Sequence, residues 1–352
     1  MDIQNFINEN EDYLVKFKNL NLQINTYNVL GLSLVKYKHN TVIDDFTKLF
    51  KSVIINQKTN KIVSLSPMKS LKSENQILFN NDMEISQLHD GTMINLFYHN
   101  NEWILATRSY IGAKNYWNKD AKKSFKDMFN ECFDNGYDSL FQSHCYSFVL
   151  QHKDNCNITP VKENKVILVE EYDLEDGYPK KVIPAHDCSC ALNNTNETYK
   201  NYHEFSKVEK LNKYDKGYNI YLNGIRYVVI TDDYKYMFEL KPNQNNKMFV
   251  FLTLYKQRNL NEYLIHYFED KKLFEKYKNK YEIMRNELYS NYCNHFIKKN
   301  IVTKDVPYQL KPLIYELHDV YQSSGQKINM KLINDYLHNT NIKRLTFVLN
   351  YY

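Results

Sequence analysis

Few residues in this 352-residue chain have the types and spacing that chemistry needs. His186, Cys188 and Cys190 crowd together. Zinc sites favour CxxC pairs with a second pair at finger distance, and neither is present, so a solvated loop is expected there. Asp90 stands in Leu88-His89-Asp90-Gly91-Thr92, ahead of a strand-like run and then Ile104-Leu105-Ala106-Thr107-Arg108-Ser109. Its carboxylate is a candidate ligand group, although an Asp before Gly commonly just shapes a turn. The chain has 31 tyrosines, and rings with a polar tip suit base stacking.

The elements that would position these residues follow from hydrophobic periodicity. Residues 1–25 begin with a polar helical segment, and a strand pattern runs over 26–37, where Leu30, Leu32 and Leu34 alternate with Gly31 and Ser33. Residues 53–55 and 62–65 flank the polar turn Gln57-Lys58-Thr59-Asn60. A second hairpin is predicted over 93–98 and 103–107, and a helix over 125–132. Residues 146–151 and 166–172 are dense in Val, Leu, Phe and Tyr and read as buried strands. A polar surface loop is expected over 189–205. Asn223-Gly224 then joins strand patterns at 218–222 and 225–230, a strong hairpin signal. One more strand is predicted near 236–240. After about residue 258 the period changes: Phe274, Tyr277, Tyr281, Met284, Leu288 and Tyr292 recur at helical spacing, as do Leu313, Leu317, Ile328, Leu332 and Tyr336. That stripe reads as core packing between helices.

Composition sets wider bounds. The length suggests one large domain plus a smaller one, and 43% hydrophobic residues suffice for a packed core. A net charge of +5 permits a nucleic-acid partner without demanding one. The start lacks a basic-then-apolar signal pattern, and no apolar run nears the roughly 20 residues that span a bilayer. A soluble, cytoplasmic protein with no membrane partner is therefore expected. Cys132, Cys145, Cys156, Cys188, Cys190 and Cys293 are too scattered for a secreted disulfide framework, which agrees with reduced thiols.

Several separated phrases, in order, carry a family resemblance. They are Ser64-Leu65-Ser66-Pro67-Met68-Lys69-Ser70, Asp90-Gly91-Thr92-Met93-Ile94-Asn95-Leu96-Phe97 and Thr107-Arg108-Ser109-Tyr110-Ile111-Gly112-Ala113. Cys145-Tyr146-Ser147-Phe148-Val149-Leu150-Gln151-His152 and the closing Leu349-Asn350-Tyr351 follow. Over roughly residues 50–240 the chain resembles the RNA ligase and mRNA capping-type nucleotidyltransferase superfamily, particularly the phage-type RNA ligases that repair tRNA. More closely still, it resembles RNA-ligase-like proteins of giant DNA viruses. The resemblance implies an α+β fold: an antiparallel-sheet nucleotidyltransferase core, ATP-grasp-like, over 1–255, then an all-helical domain over 256–352.

That resemblance also implies a damaged centre. The nucleophilic lysine of Lys-x-Asp-Gly falls at Leu88, and a hydrocarbon has no lone pair with which to attack phosphorus. The acid of the family's Phe-Glu strand falls at Val149, after a retained Phe148. The arginine of its Asn-Arg pair falls at Cys156, after Asn155, and the glutamate of Glu-Gly-Tyr falls at Lys216. The paired triphosphate lysines fall at Val228 and Ile230. Phosphoryl transfer relies almost wholly on positioned charge, so these losses imply a pseudoenzyme with no cofactor and no metal. The remaining cleft would bind RNA, as a 5′ end, cap or single strand, by stacking on Phe97, Tyr146 or Phe148. Arg108 and Lys114 would lie near its mouth, Lys69 could reach it, and Asp90 and Gly91 are further ligand-binding candidates. Two alternatives stay open. One is an active ligase or guanylyltransferase with a displaced nucleophilic lysine, Lys69 or Lys114; a small slip in register at the last motif would also let Lys235 or Lys241 replace a lost triphosphate lysine. The other is an assembly protein that docks a protein partner through its C-terminal helices. If the chain is viral, the expected place is the host cytoplasm or the viral factory.

Overall fold

The structure, a computed structural model, describes residues 2–72, 83–117, 121–133, 136–155, 157–175, 177–182, 198–199, 214–242, 244 and 246–352. The chain divides into two compact units, Met1–Met237 and Phe238–Tyr352. The boundary expected near 255 lies inside a helix of the second unit, Lys247–Gln257. His186, Cys188, Cys190 and Cys156 lie outside the described residues, as does most of 189–205.

The first unit begins with α1 (Ile3–Glu9) and α2 (Tyr13–Asn19), followed by β1 (Leu22–Tyr27), β2 (Leu32–Tyr37), β3 (Val53–Asn56) and β4 (Ile62–Leu65) in one antiparallel sheet. The single strand expected over 26–37 is thus two, and β1 starts inside the expected helical segment. Gly31, at φ +65°, makes the turn that the Leu30-Leu32-Leu34 alternation concealed. Ile3, Ile7, Tyr13 and Phe17 of the helices bury against Leu22, Val35, Phe50, Val53 and Ile55.

Two more sheets complete this unit. Beyond β5 (Leu71–Lys72) come β6 (Glu84–Leu88), β7 (Thr92–His99) and β8 (Glu102–Thr107), then helix α3 (Phe125–Cys132). There follow β9 (His144–Gln151), β10 (Lys165–Asp173), β11 (Lys180–Val182), β12 (Thr198–Tyr199), β13 (Gly217–Leu222) and β14 (Ile225–Ile230). One sheet runs β11-β10-β9-β7-β8 and the other β12-β6-β13-β14-β5. The chain passes between them at the β6–β7 turn, which is residues 89–91. Helix α3 opens with a Ser124–Asp127 capping box, where each side chain answers the other's backbone N–H.

Residues 236–240, expected as a strand, belong to helix α4 (Asp232–Leu240). Thr231 Oγ1 accepts from Tyr234 N, Asp232 and Asp233 sit in the first turn, and Tyr234, Met237 and Leu240 are buried at helical spacing. The second unit contains α5 (Lys247–Gln257), α6 (Leu260–His266), α7 (Lys271–Tyr292), α8 (Lys311–Ser324), α9 (Met330–Asn339) and α10 (Ile342–Leu349). Its core gathers Phe274, Leu288, Leu313 and Leu317 of the apolar stripe read from periodicity, joined by Phe251, Ile333 and Leu345. The fold class is α+β: sheets that are antiparallel but for the short parallel β14–β5 pair come first, then a helical region without strands among the described residues.

Candidate functional site

Two glycines set the geometry of the β6–β7 turn. Gly91 has φ +146°, and a Cβ there would stand 2.5 Å from the Leu150 carbonyl oxygen and 2.7 Å from Val149 Cγ1. Gly217, paired with Leu88 across β13–β6, has φ +145°, and a Cβ would stand 1.9 Å from the Val229 oxygen. Any side chain at either position would drive the turn off its neighbouring strand.

This close packing buries Asp90. Its Oδ2 accepts from the backbone N–H of Ile158 at 2.7 Å and of Thr159 at 3.0 Å. Its Oδ1 accepts from the Tyr234 hydroxyl at 2.7 Å, with Lys216 Nζ at 3.5 Å. The Lys216 amine also lies 5.3 Å from the centre of the Tyr234 ring. Gln151 Nε2 donates to the Asp90 carbonyl at 2.9 Å. The carboxylate therefore clamps residues 158–159, α4 and the stretch before β13 onto the turn. Lys216 meets Asp90 as an internal counter-charge.

The other positions implied by the resemblance are apolar in fact as well as in sequence. Leu88 is half-buried at the end of β6, Val149 is buried on β9, and Val228 and Ile230 are half-buried on β14. No group of three His, Cys, Asp or Glu suited to a metal ion occurs among the described residues.

The expected stacking rings require a correction. Tyr146 and Phe148 are 2% and 1% exposed, covered by α3: Phe129 and Phe133 lie 5.5 and 5.4 Å from the Phe148 ring. The Tyr146 hydroxyl is taken up locally, accepting from Phe141 N at 2.9 Å. Phe97 points to the opposite face and buries against Leu32, Leu34 and Ile54. None of these three rings is open to a base.

Arg108 and Lys69, far apart in sequence, do come together. The Arg108 guanidinium carbon lies 4.4 Å from the centre of the Tyr37 ring, and Lys69 Nζ lies 5.0 Å from it. Arg108 also donates to the Tyr37 carbonyl at 3.1 Å and to the Lys51 carbonyl at 3.3 Å. Lys36 Nζ donates to Ser109 Oγ at 2.6 Å, and burial, then Arg108, push its amine pKa down. Lys36, Lys51, Lys69 and Arg108 form no salt bridge with a carboxylate among the described residues. Lys114 is exposed.

Sequence reasoning missed a buried polar group beside it. Glu170 of β10 accepts from the Tyr172 hydroxyl at 2.8 Å and from the Tyr221 hydroxyl. Arg226 of β14 is buried, and it donates from Nε and Nη2 to Asn219 Oδ1 at 3.1 and 2.7 Å and from Nη1 to the Met68 carbonyl at 3.1 Å. Burial foremost, then Arg226, lowers the Lys51 amine to about 8, with Glu170 opposing. The available signal was charge inside apolar strands, the Glu170-Glu171 pair in β10 and Arg226 in β14.

No protein-family model matches the chain, and no curated protein does. Twelve solved chains match. One is described as "Putative ATP-dependent DNA ligase from Aquifex aeolicus", at 9% identity and a TM-score of 0.42, over 89% of this chain and 80% of that one. At that degree of likeness the correspondence establishes neither family nor activity.

Proposed function

We propose that this chain is a nucleotidyltransferase-type protein that binds RNA, at a 5′ end or along a single strand, and does not transfer a nucleotide. The loss of transfer is supported by Leu88, which has no electron pair to offer, and by Val149 in place of an acid. Asp90 is also committed to internal donors. The observation that carries RNA binding is the convergence of Arg108 and Lys69 on Tyr37, with Lys36 and Lys51 adjoining and no carboxylate paired to any of them among the described residues. Unanswered cations around a half-buried ring suit a phosphate backbone and its bases. In keeping with the viral resemblance, the protein would act on transcripts in host cytoplasm or a viral factory.

Fluorescence anisotropy with capped and uncapped single-stranded RNA tests this reading. The double variant Arg108→Glu, Lys69→Glu should bind at least roughly tenfold more weakly, with a salt slope shallower by about 0.7 for each phosphate no longer neutralised. Failure of the unaltered protein to bind either RNA at moderate salt overturns it. Incubation with α-labelled ATP or GTP and magnesium or manganese should give no labelled protein. A labelled lysine would establish the ligase alternative instead.

A second reading is supported by the helical unit, where Ile265 and Phe268 are 75% and 68% exposed. Such side chains suit docking of a protein partner. Deleting residues 258–352 would then abolish partner capture while leaving RNA affinity in place.

A further inference from the structure

Residues 108–117, which lead from β8 towards α3, sort their apolar side chains in an unexpected way. Ile111 and Ala113 are buried, while Tyr110, Tyr116 and Trp117 are 42%, 51% and 41% exposed. An aromatic ring buries far more area than an alanine, so hydrophobic packing alone would not choose to display the rings. The backbone beneath them is tied down. Thr107 N donates to the Tyr110 carbonyl at 3.0 Å and Gly112 N to the Leu105 carbonyl at 2.6 Å. Ile111 N donates to the Tyr27 hydroxyl at 3.3 Å, and the Tyr110 ring meets the Tyr27 ring edge-on at 5.9 Å. From α3, Lys126 N donates to the Ala113 carbonyl at 2.8 Å, and Phe125 N donates to the Asn115 carbonyl at 3.1 Å. A stretch held in this way loses little further freedom when a ligand arrives.

The charge around the rings is one-sided. Residues 108–126 carry six cations, Arg108, Lys114, Lys119, Lys122, Lys123 and Lys126, against one acid, Asp120. Lys123 is answered by Glu131 and Asp154. Lys114, Lys122 and Lys126 are exposed and form no salt bridge among the described residues. The stretch starts at the Tyr37 cluster, because Arg108 lies on the Tyr37 ring and Ser109 Oγ accepts from Lys36. Exposed rings interleaved with unanswered cations complement a polyanion whose bases can turn outward. A lipid-seeking surface would show aliphatic side chains beside the rings, and here Ile111 and Ala113 are hidden.

We infer that residues 108–117 form a stacking platform for unpaired nucleotides, extending from the Tyr37 cluster and indifferent to base sequence. The inference rests on the RNA-binding reading above and adds what selects the RNA. Bases in a duplex are already paired and stacked, so only a single strand can lay its bases on Tyr116 and Trp117. Every base has a π-face, which makes such contacts tolerant of sequence. Arg108 and Lys114 supply charge for the intervening phosphates.

The test uses the chain's own fluorescence. Of its two tryptophans, Trp103 packs against the core of its sheet, so in Trp103→Phe the emission reports on Trp117 alone. A short unstructured RNA should quench that emission with the midpoint seen by anisotropy, and the matching duplex should not. Tyr116→Ala and Trp117→Ala should each weaken single-strand binding roughly fivefold or more and leave duplex binding and thermal stability unchanged. Tyr116→Phe and Trp117→Phe keep a ring and should keep the affinity. Undiminished single-strand binding by both alanine variants overturns this inference while leaving RNA binding at Tyr37 intact. Equal losses in the phenylalanine and alanine variants, or equal quenching by the duplex, do the same. Binding to phosphatidylserine vesicles without any quenching by RNA would assign the rings to a lipid surface instead. Absence of binding to single strand and duplex alike overturns both readings.

Discussion

The Asp90 turn and the Tyr37 cluster carry similar side chains and use them oppositely. At the turn, the carboxylate meets two backbone N–H groups, a tyrosine hydroxyl and an ammonium, all supplied by the chain itself. At Tyr37, Arg108, Lys69 and Lys36 collect with no carboxylate among the described residues to neutralise them. Charge answered internally serves stability, and charge left unanswered is available to a ligand. The region whose sequence most resembles a catalytic centre thus reads as a structural clamp, and the proposed RNA binding rests on the Tyr37 cluster instead.

The sharpest test is Gly217→Ala. Its Cβ would collide with the Val229 carbonyl at a backbone angle that only glycine adopts easily, so a loss of about 4 kcal/mol is expected in urea unfolding. A loss below about 1 kcal/mol would mean the turn is not the clamp described. Asp90→Ala comes next, at about 3 kcal/mol, because two N–H groups and the Tyr234 hydroxyl lose their acceptor. RNA affinity per folded molecule should not change. If affinity falls and stability holds, the contrast between the two regions is reversed.

Tyr37→Ala probes the other side. Removing the ring under Arg108 and Lys69 should weaken RNA binding by about 1–2 kcal/mol, with a stability change below about 1 kcal/mol. The smallest effect belongs to an answered charge at the surface. Glu316 accepts from Arg344 at 2.7 and 2.9 Å and from the Tyr336 hydroxyl, and the Arg344 hydrogen bonds foremost hold its pKa below the usual carboxylate value. The stability it contributes is present above the ordinary glutamate range and is lost as pH falls through the lowered folded value. Both partners are about a third or more exposed, so Glu316→Gln should cost less than about 1 kcal/mol near neutrality and nothing in acid.

Much of the architecture was already legible before any coordinates. Hydrophobic alternation marked the β7–β8 and β13–β14 hairpins, Asn223-Gly224 marked the turn of the latter, and a Phe/Tyr/Leu stripe marked α7. These are local signals, because the period of two or 3.6 residues and the backbone freedom of glycine act within a few positions. The split of residues 26–37 was hidden because Gly31 sits inside an unbroken alternation. Helix α4 was hidden because its aromatic-rich stretch has β propensity, while the cap at Thr231 and the buried spacing of Tyr234, Met237 and Leu240 decide for helix.

The sequence alone determined that a hydrocarbon, Leu88, stands two residues before Asp90-Gly91; that several charges are missing around it is what the family resemblance implies. Tertiary structure decided what the remaining groups do. It covered Tyr146 and Phe148 with α3, turned Lys216 onto Asp90 and brought Lys69 and Arg108 to one ring. No local rule carries that information: whether a charge or ring is answered depends on which distant strand or helix lies against it, and burial multiplies the consequence.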